Sequence, residues 1–203
     1  MEANLDDARA RRASAEENTR AGELTLRHAA DANNALATKA TATAGTLGDA
    51  RLLLLGMWLG AAVLLSFAVA PGAFAVLPAR ELAGAIVART IAVVNVSGFL
   101  VALLLLATAF ARRSVARARR AWIIELCALA LLALSTGVGR WIISARMAAL
   151  RAAMGRPIDD VAASDPLRVA FNGLHVYSVA AMTTAMLAAA VAFILIARRN
   201  RGA

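Results

Sequence analysis

A set of polar side chains lies near one end of the long apolar segments of this sequence. Guanidinium groups bind anions through several N–H donors, and an imidazole donates or accepts a hydrogen bond. Counting from the arginines at the other end of each segment predicts that these side chains share one depth. We therefore predict a shallow cationic pocket for a small anion or a lipid headgroup. The candidate ligand-binding residues are Arg89, Arg140, Asn172, His175, Tyr177 and Ser178.

The same side chains have a purely structural interpretation. Long arginine side chains reach from a membrane-spanning helix to the headgroups, and Tyr177 is typical of the aromatic belt at a membrane interface. The sequence favours this second interpretation, because none of these groups has to lie near the centre of the bilayer. The pocket is retained as the leading functional hypothesis.

One stripe of the last apolar segment carries His175, Met182 and Met186. An imidazole and two thioethers are ligands for a soft ion such as copper(I), which makes metal handling or electron transfer an alternative function. Methionine also packs anywhere in an apolar helix. Since His175 is the only histidine in an apolar segment, haem ligation by two histidines would need a second copy of the chain. No cofactor is expected.

Several other polar and small residues predict helix packing. Glu125 is expected to pair with a neighbouring arginine at the membrane interface, and Asn95 is expected to form interhelical hydrogen bonds. Gly56 and Gly60 form a G-x-x-x-G motif that lets another backbone approach, within the chain or across a homo-oligomer. With Pro71, these two glycines are the candidate packing positions. A structural or assembly role through them and the N-terminal tail is a further alternative.

Motifs for nucleophilic, phosphate or metal-dependent catalysis are absent from the sequence. It contains no G-x-S-x-G, no P-loop and no H-E-x-x-H. The one cysteine, Cys127, excludes a disulfide within one chain. We therefore predict a protein that is not an enzyme.

The elements that must position these residues are four apolar runs. Of the 203 residues, 61% are hydrophobic and only 17% are charged. About twenty residues of helix cross a bilayer, and each run is at least that long. An all-α fold is therefore predicted: a four-helix antiparallel transmembrane bundle with a polar N-terminal extension. The predicted helices are 52–77, 82–111, 121–145 and 169–197.

Charge predicts the orientation of the bundle. The formal net charge is +9, and the excess lies beside the apolar runs, with five arginines between 112 and 120 and three after Ala197. Because arginine-rich loops stay in the cytoplasm, both termini are predicted there, including the basic C-terminus at 199–203. Residues 1–50 are predicted to be a cytoplasmic tail, partly disordered or helical. The expected location is a bacterial inner membrane, with lipids as partners and no nucleic acid, since no aromatic residues interleave with the arginines.

Short segments resemble the transmembrane protein 205-like family, which spans bacteria and eukaryotes. The segments are Trp58-Leu59-Gly60, Ala70-Pro71, Gly139-Arg140-Trp141, Asp165-Pro166, Leu174-His175 and Ser178. The resemblance covers most of 52–197 and implies a four-helix membrane domain of unassigned activity. It implies that Pro71, Arg140, His175 and Ser178 are the positions to test. The chain departs from the pattern at Met182, where the family has asparagine. A more distant similarity is to copper-resistance membrane proteins of the CopD type.

Overall fold

The computed structural model describes residues 2–111 and 119–201, with side chains from Leu26 onward apart from residues 29, 40–42 and 44. Arg112, Arg113 and Arg117, three of the arginines used to predict orientation, lie outside the described residues, as do Gly202 and Ala203 of the basic C-terminus. The chain divides into two units, one ending at Leu47 and the other running from Gly48 onward.

All described secondary structure is helical, and four helical stretches are long and apolar enough to span a membrane. We call these stretches spans 1 to 4; they cover Gly45–Val76, Arg80–Ala111, Arg119–Met154 and Pro166–Arg201. The predicted all-α membrane fold is confirmed. The helices are α1 Glu2–Leu64, α2 Ala70–Val76, α3 Arg80–Ala111, α4 Arg119–Gly137, α5 Ser144–Met154 and α6 Pro166–Arg201.

The polar N-terminal residues belong to α1, which begins at Glu2. The sequence predicted fragments of helix or disorder there. Alanine, glutamate and arginine have high intrinsic helix propensity, and a long run of them favours one helix over several fragments. Exposed threonine hydroxyls at Thr38 and Thr43 donate to the carbonyls four residues earlier, which lets these weaker helix formers stay within α1.

Proline and glycine set the helix ends near the two described connections. α2 ends at Val76, before Pro78, because proline disfavours helical geometry in the residue that precedes it. α5 ends at Gly155, whose φ of 63° is a left-handed conformation that glycine adopts without strain. α6 begins at Pro166, after Asp165, whose carboxylate accepts a hydrogen bond from the Leu167 backbone N–H at 2.8 Å.

The third and fourth helices are longer than the apolar runs that predicted them. Span 3 continues to Met154 rather than ending at 145, and α6 begins at Pro166 rather than at 169. The added turns contain Arg146 and Arg151, which have good helix propensity but low hydropathy. The predicted limits therefore mark where the apolar composition ends. The helices themselves end elsewhere: span 3 stops before Gly155, and α6 begins after Asp165.

Two π-helical segments interrupt the spans, at Leu65–Val69 in span 1 and at Val138–Ile143 in span 3. The first ends two residues before Pro71. Because proline has no N–H to donate to the preceding turn, an irregular turn is expected there. The second contains Gly139, Arg140 and Trp141. Single π-helical turns are found often at functional sites, so this segment is a candidate functional site.

The core between the spans consists largely of small residues. Ala62, Ala102, Ala185, Ala189 and Ala192 are all fully buried. In a bilayer, helices associate through close van der Waals packing, which small residues permit. The buried Trp58 fills space against Gly98 of α3, and its indole N–H donates to the Val94 carbonyl at 2.9 Å.

Candidate functional site

One buried carboxylate joins charged groups at the end of the bundle where spans 1 and 3 begin. Arg51 Nη2 lies 2.6 Å from Glu125 Oε1, and Arg199 Nη2 donates to Glu125 Oε2. Arg51 Nη2 also donates to the Leu105 carbonyl at 3.3 Å. These four residues, which we call the Glu125 cluster, come from all four spans. The cluster therefore fixes the spans relative to one another at this end.

The centre of the Glu125 cluster is buried. Arg51 and Glu125 are 2% and 1% exposed, while Arg199 is 32% exposed. Removing charges from water is costly unless their hydrogen bonds are satisfied. Both carboxylate oxygens are satisfied, whereas Arg51 Nε has no partner among the described residues.

The predicted pairing of Glu125 with arginine is confirmed, but the partners come from distant parts of the sequence. Arg199 is one of the three arginines after Ala197 that predict the orientation, and Arg51 directly precedes the first apolar run. The nearest arginines along the chain, Arg119 and Arg120, are exposed instead. The sequence does contain a signal for these partners: Arg51 lies near the start of span 1 and Arg199 near the end of span 4. An antiparallel bundle brings both of these positions beside the start of span 3.

The six candidate ligand-binding residues lie toward the opposite end of the bundle, which we call the Arg140 end. Arg89, Asn172, His175 and Tyr177 are exposed, and Arg140 and Ser178 are half-buried. Within the described residues, the structure shows no side-chain hydrogen bond or ion pair that connects these six. Their role in binding stays a prediction.

Counting from the Glu125 cluster gives the depth of each candidate. At 1.5 Å per residue, Arg89 and Arg140 are both about 22–24 Å from it along their helices. His175 is about 36 Å from it along α6 by the same rise. These two counts start from different side chains, and a direct contact corrects them: Gly139 of span 3 faces Asn95 of α3. Arg140 follows Gly139 directly, whereas Arg89 is a further turn and a half beyond Asn95, so Arg89 lies about 7 Å farther out than Arg140. The histidine lies about 12 Å farther out than Arg140. A compact ligand that contacts Arg140 does not also reach His175.

Arg140 belongs to a π-helical segment that packs closely on α3. The buried Gly139 faces the buried Asn95, since a Cβ atom at position 139 would lie 3.1 Å from Asn95 Nδ2. Ser144 Oγ donates to the Gly139 carbonyl at 2.8 Å, which satisfies an acceptor of the irregular turn. The interhelical hydrogen bond expected of Asn95 is absent from the described structure. Arg140 itself has no carboxylate partner among the described residues.

An apolar groove of about 470 Å³ opens beside this segment, between α3 and span 3. We call it the Trp141 groove; Phe99 and Trp141 form one wall, with ring centroids 4.9 Å apart in an edge-to-face arrangement. Gly137 leaves the groove open between these rings. Leu106, Ala130 and Leu134 also line it. The sequence does not predict this groove, because no pattern of apolar residues distinguishes a groove wall from a lipid-facing helix surface.

The three candidate metal ligands differ in burial. Met182 and Met186 are partly buried and pack against the apolar core, while His175 is exposed. The described residues contain no group of three or more histidine, cysteine, aspartate and glutamate side chains that could hold a metal ion. The packing interpretation accounts for the two methionines, and metal binding stays a prediction.

The candidate packing positions also differ. A Cβ atom at Gly56 would lie 3.3 Å from the Phe193 ring, so this glycine serves contact between spans 1 and 4 of the same chain. Gly60 has no atom within 4 Å of its Cβ position, and Pro71 is exposed. Of the two glycines in the G-x-x-x-G motif, the structure assigns only Gly56 to contact within the bundle.

A protein-family model matches residues 53–156, which contain most of span 1, all of spans 2 and 3 and the π-helical segment of Arg140. The chain belongs to the DUF4149 family. That family is described as a domain of unknown function, so it assigns no activity. The four apolar spans fit a multi-pass membrane protein. Comparisons with curated proteins and with solved structures find no match. The narrower resemblance to the transmembrane protein 205-like family stays a prediction.

The DUF4149 match divides the residues discussed above. Glu125, Arg89 and Arg140 lie inside it, whereas Arg51, Arg199 and His175 lie outside. The carboxylate of the Glu125 cluster therefore belongs to the matched domain, and both of its arginine partners come from the flanking segments.

Proposed function

We propose that this DUF4149 protein is a non-enzymatic, multi-pass inner-membrane protein that binds an anionic headgroup or a small anion at its Arg140 end. Arg140 supplies the main contact, and Arg89 and His175 contact only a ligand that extends outward. Binding of this kind suits an accessory to transport or lipid handling. Four spans are few for a solitary transporter, so a transport role would require a homo-oligomer.

The observation that carries this proposal is the unneutralised charge of Arg140. It is half-buried on a π-helical turn of a membrane span, and no described carboxylate lies beside it. A charge within a membrane span is costly, and such residues usually pair or contact a ligand, ion or headgroup. An anion that accepts hydrogen bonds from the guanidinium group would offset that cost.

The proposed orientation rests on the charges around the Glu125 end. Arg119, Arg120, Arg198 and Arg201 are all exposed there. Arginines that flank short connections stay on the cytoplasmic side, where they meet anionic lipids. This orientation puts both chain termini in the cytoplasm and the Arg140 end on the outside. Cysteine-accessibility labelling of single cysteines introduced at Ser164 and Gly202, in a Cys127→Ala background, tests it directly.

The binding test uses the full chain in a mild non-ionic detergent and native mass spectrometry. Phosphatidylglycerol is titrated against phosphatidylcholine, and glycerol 1-phosphate serves as the small-anion probe. We expect the wild-type chain to retain phosphatidylglycerol preferentially and Arg140→Gln to lose that preference. His175→Ala should have a smaller effect because of its distance from Arg140. Arg80→Gln is the matched control, since Arg80 is exposed and lies 3.9 Å from Asp159.

Each result of this titration bears on the proposal. Equal retention of the two lipids by the wild-type chain would overturn headgroup binding, and retention of glycerol 1-phosphate alone would identify a small-anion site. If Arg140→Gln and Arg80→Gln weaken phosphatidylglycerol binding equally, the attraction comes from overall charge and the assigned site is wrong.

A further inference from the structure

We infer that the Trp141 groove holds one acyl chain of an anionic phospholipid whose phosphate contacts Arg140. This inference rests on the proposed function and narrows it from an anion in general to a membrane lipid bound by both of its parts. It also gives the groove a role, whereas an anion site at Arg140 alone would leave the groove without one.

The dimensions of the groove fit one chain from one leaflet. Its wall along span 3 runs from Ala130 to Trp141, a length of about 16 Å at 1.5 Å per residue. That is about half of the roughly 30 Å hydrocarbon core, the depth that a single acyl chain occupies. A transmembrane helix from a partner would instead have to contact the bundle over the whole core.

The chemistry of the groove fits the same occupant. All residues that line it are apolar, so it offers nothing for a headgroup to bind. Trp141 and Ile142 form its outer end, and an interfacial tryptophan marks the level where acyl chains meet headgroups. Trp122, near the other end of span 3, lies about 28 Å away along the helix, close to the hydrocarbon thickness.

A cationic residue adjoins the groove-lining Trp141 in the sequence. Arg140 directly precedes Trp141 in the π-helical segment, so its long side chain starts beside the groove wall. It is half-buried and has no described carboxylate partner. A phosphodiester placed at the level of Trp141 can therefore accept its hydrogen bonds, while the attached chain follows Phe99 and Leu134 inward. Charge complementarity thus selects a lipid with an anionic headgroup.

Gly137 offers a way to close the groove without touching Arg140. A Cβ atom there would lie 3.5 Å from the Phe99 ring and 3.6 Å from the Trp141 ring, which is ordinary contact. Gly137→Ala therefore narrows the groove with little strain, and Gly137→Leu fills it. Gly60→Leu is the matched control, because Gly60 faces open space on another span.

The experiment places the full chain in nanodiscs of phosphatidylcholine doped with phosphatidylglycerol that carries brominated acyl chains, which quench tryptophan fluorescence on contact. The reference is the same dose of brominated phosphatidylcholine. We expect stronger quenching by brominated phosphatidylglycerol in the wild-type chain and in Gly60→Leu. Gly137→Leu should lose the difference, and Gly137→Ala should reduce it, which keeps the test valid if the leucine variant does not fold.

Three outcomes separate this inference from the proposal beneath it. If Gly137→Leu and Gly137→Ala quench like the wild-type chain while Arg140→Gln loses the difference, the headgroup site stands and the groove inference is wrong. If Arg140→Gln leaves the difference unchanged, the proposed function itself fails. If Gly137→Leu converts an oligomer into a monomer on native mass spectrometry, a second copy occupies the groove and the lipid inference is overturned.

Discussion

At the Glu125 end of the bundle, two arginines from different spans share one buried carboxylate, whereas at the other end Arg140 is half-buried without one. The packing of α3 also differs between its two neighbours. Against span 1, Trp58 fits against Gly98 and donates to a backbone carbonyl. Against span 3, Gly139 packs closely on Asn95, but the Trp141 groove stays open beside Phe99.

This difference teaches how one residue type serves two purposes in a small membrane protein. At the Glu125 end the guanidinium groups form hydrogen bonds within the chain, so they contribute to the stability of the fold. At the Arg140 end the guanidinium group has no described carboxylate partner, so it can bind a ligand. Substitutions at the two ends should therefore separate stability from binding.

The largest effect is expected from Glu125→Gln. The change leaves the buried Arg51 guanidinium group without its counter-charge, and breaking a buried pair in this way costs about 3–5 kcal/mol. The free energy of unfolding in mixed micelles of a mild detergent and dodecyl sulfate would measure it. Glu81→Gln is the control, because Glu81 is exposed in the first turn of α3. Equal stability of the two variants would mean that the Glu125 cluster does not hold the spans together.

A smaller effect is expected from Gly98→Ala, which tests the packing difference. A Cβ atom at Gly98 would lie 2.5 Å from Trp58 Nε1, and the bulky, hydrogen-bonded indole has little room to move. Overpacking of this kind costs about 1–3 kcal/mol of unfolding free energy. Gly137→Ala, made in the groove, should change stability much less. The comparison breaks down if the two alanine variants lose the same stability.

A still smaller effect is expected from Arg199→Gln. The Arg51–Glu125 pair stays intact and becomes neutral overall, and Arg199 is already 32% exposed. Partly exposed ion pairs contribute about 0–1 kcal/mol, so the loss should be about 1 kcal/mol or less. Arg198→Gln provides the neighbouring exposed control. A loss as large as that of Glu125→Gln would show that both arginines are required for the cluster.

The smallest effect on stability is expected from Arg140→Gln, although it should have the largest effect on binding. No described partner loses an ion pair, so the unfolding free energy should stay within about 0.5 kcal/mol of the wild-type value. Thermal denaturation with and without phosphatidylglycerol would show both properties. The wild-type chain should gain stability from the lipid and the variant should not. Strong destabilisation without lipid would instead assign Arg140 to the core.

The sequence predicted the membrane fold well, because the length and composition of each apolar run are set by the thickness of the bilayer. It predicted the ends of helices less well. Span 3 continues beyond residue 145 through Arg146 and Arg151 and stops only at Gly155. Hydropathy reports where a helix leaves the membrane, whereas local backbone chemistry decides where the helix ends.

For polar groups, the sequence predicted the type of contact but not the partner. The pairing of Glu125 with arginine follows from the cost of an isolated charge, yet choosing Arg51 and Arg199 requires knowing which spans are neighbours. The π-helical turn at Arg140 and the Trp141 groove depend on how side chains of adjacent helices fit, as at Gly139 and Asn95. Such fit has no signature in one sequence.

The hydrogen bond of 3.3 Å from Asn200 to Asp49 brings the start of span 1 beside the end of span 4. Contacts of α3 with α2 and α4, and of α4 with α6, make each span a neighbour of the next, so the four spans form a closed ring. A short linker could join the two ends, and new termini could be opened between α3 and α4 on the same face of the membrane. A circularly permuted chain would then insert its spans in a different order and reach the same packing.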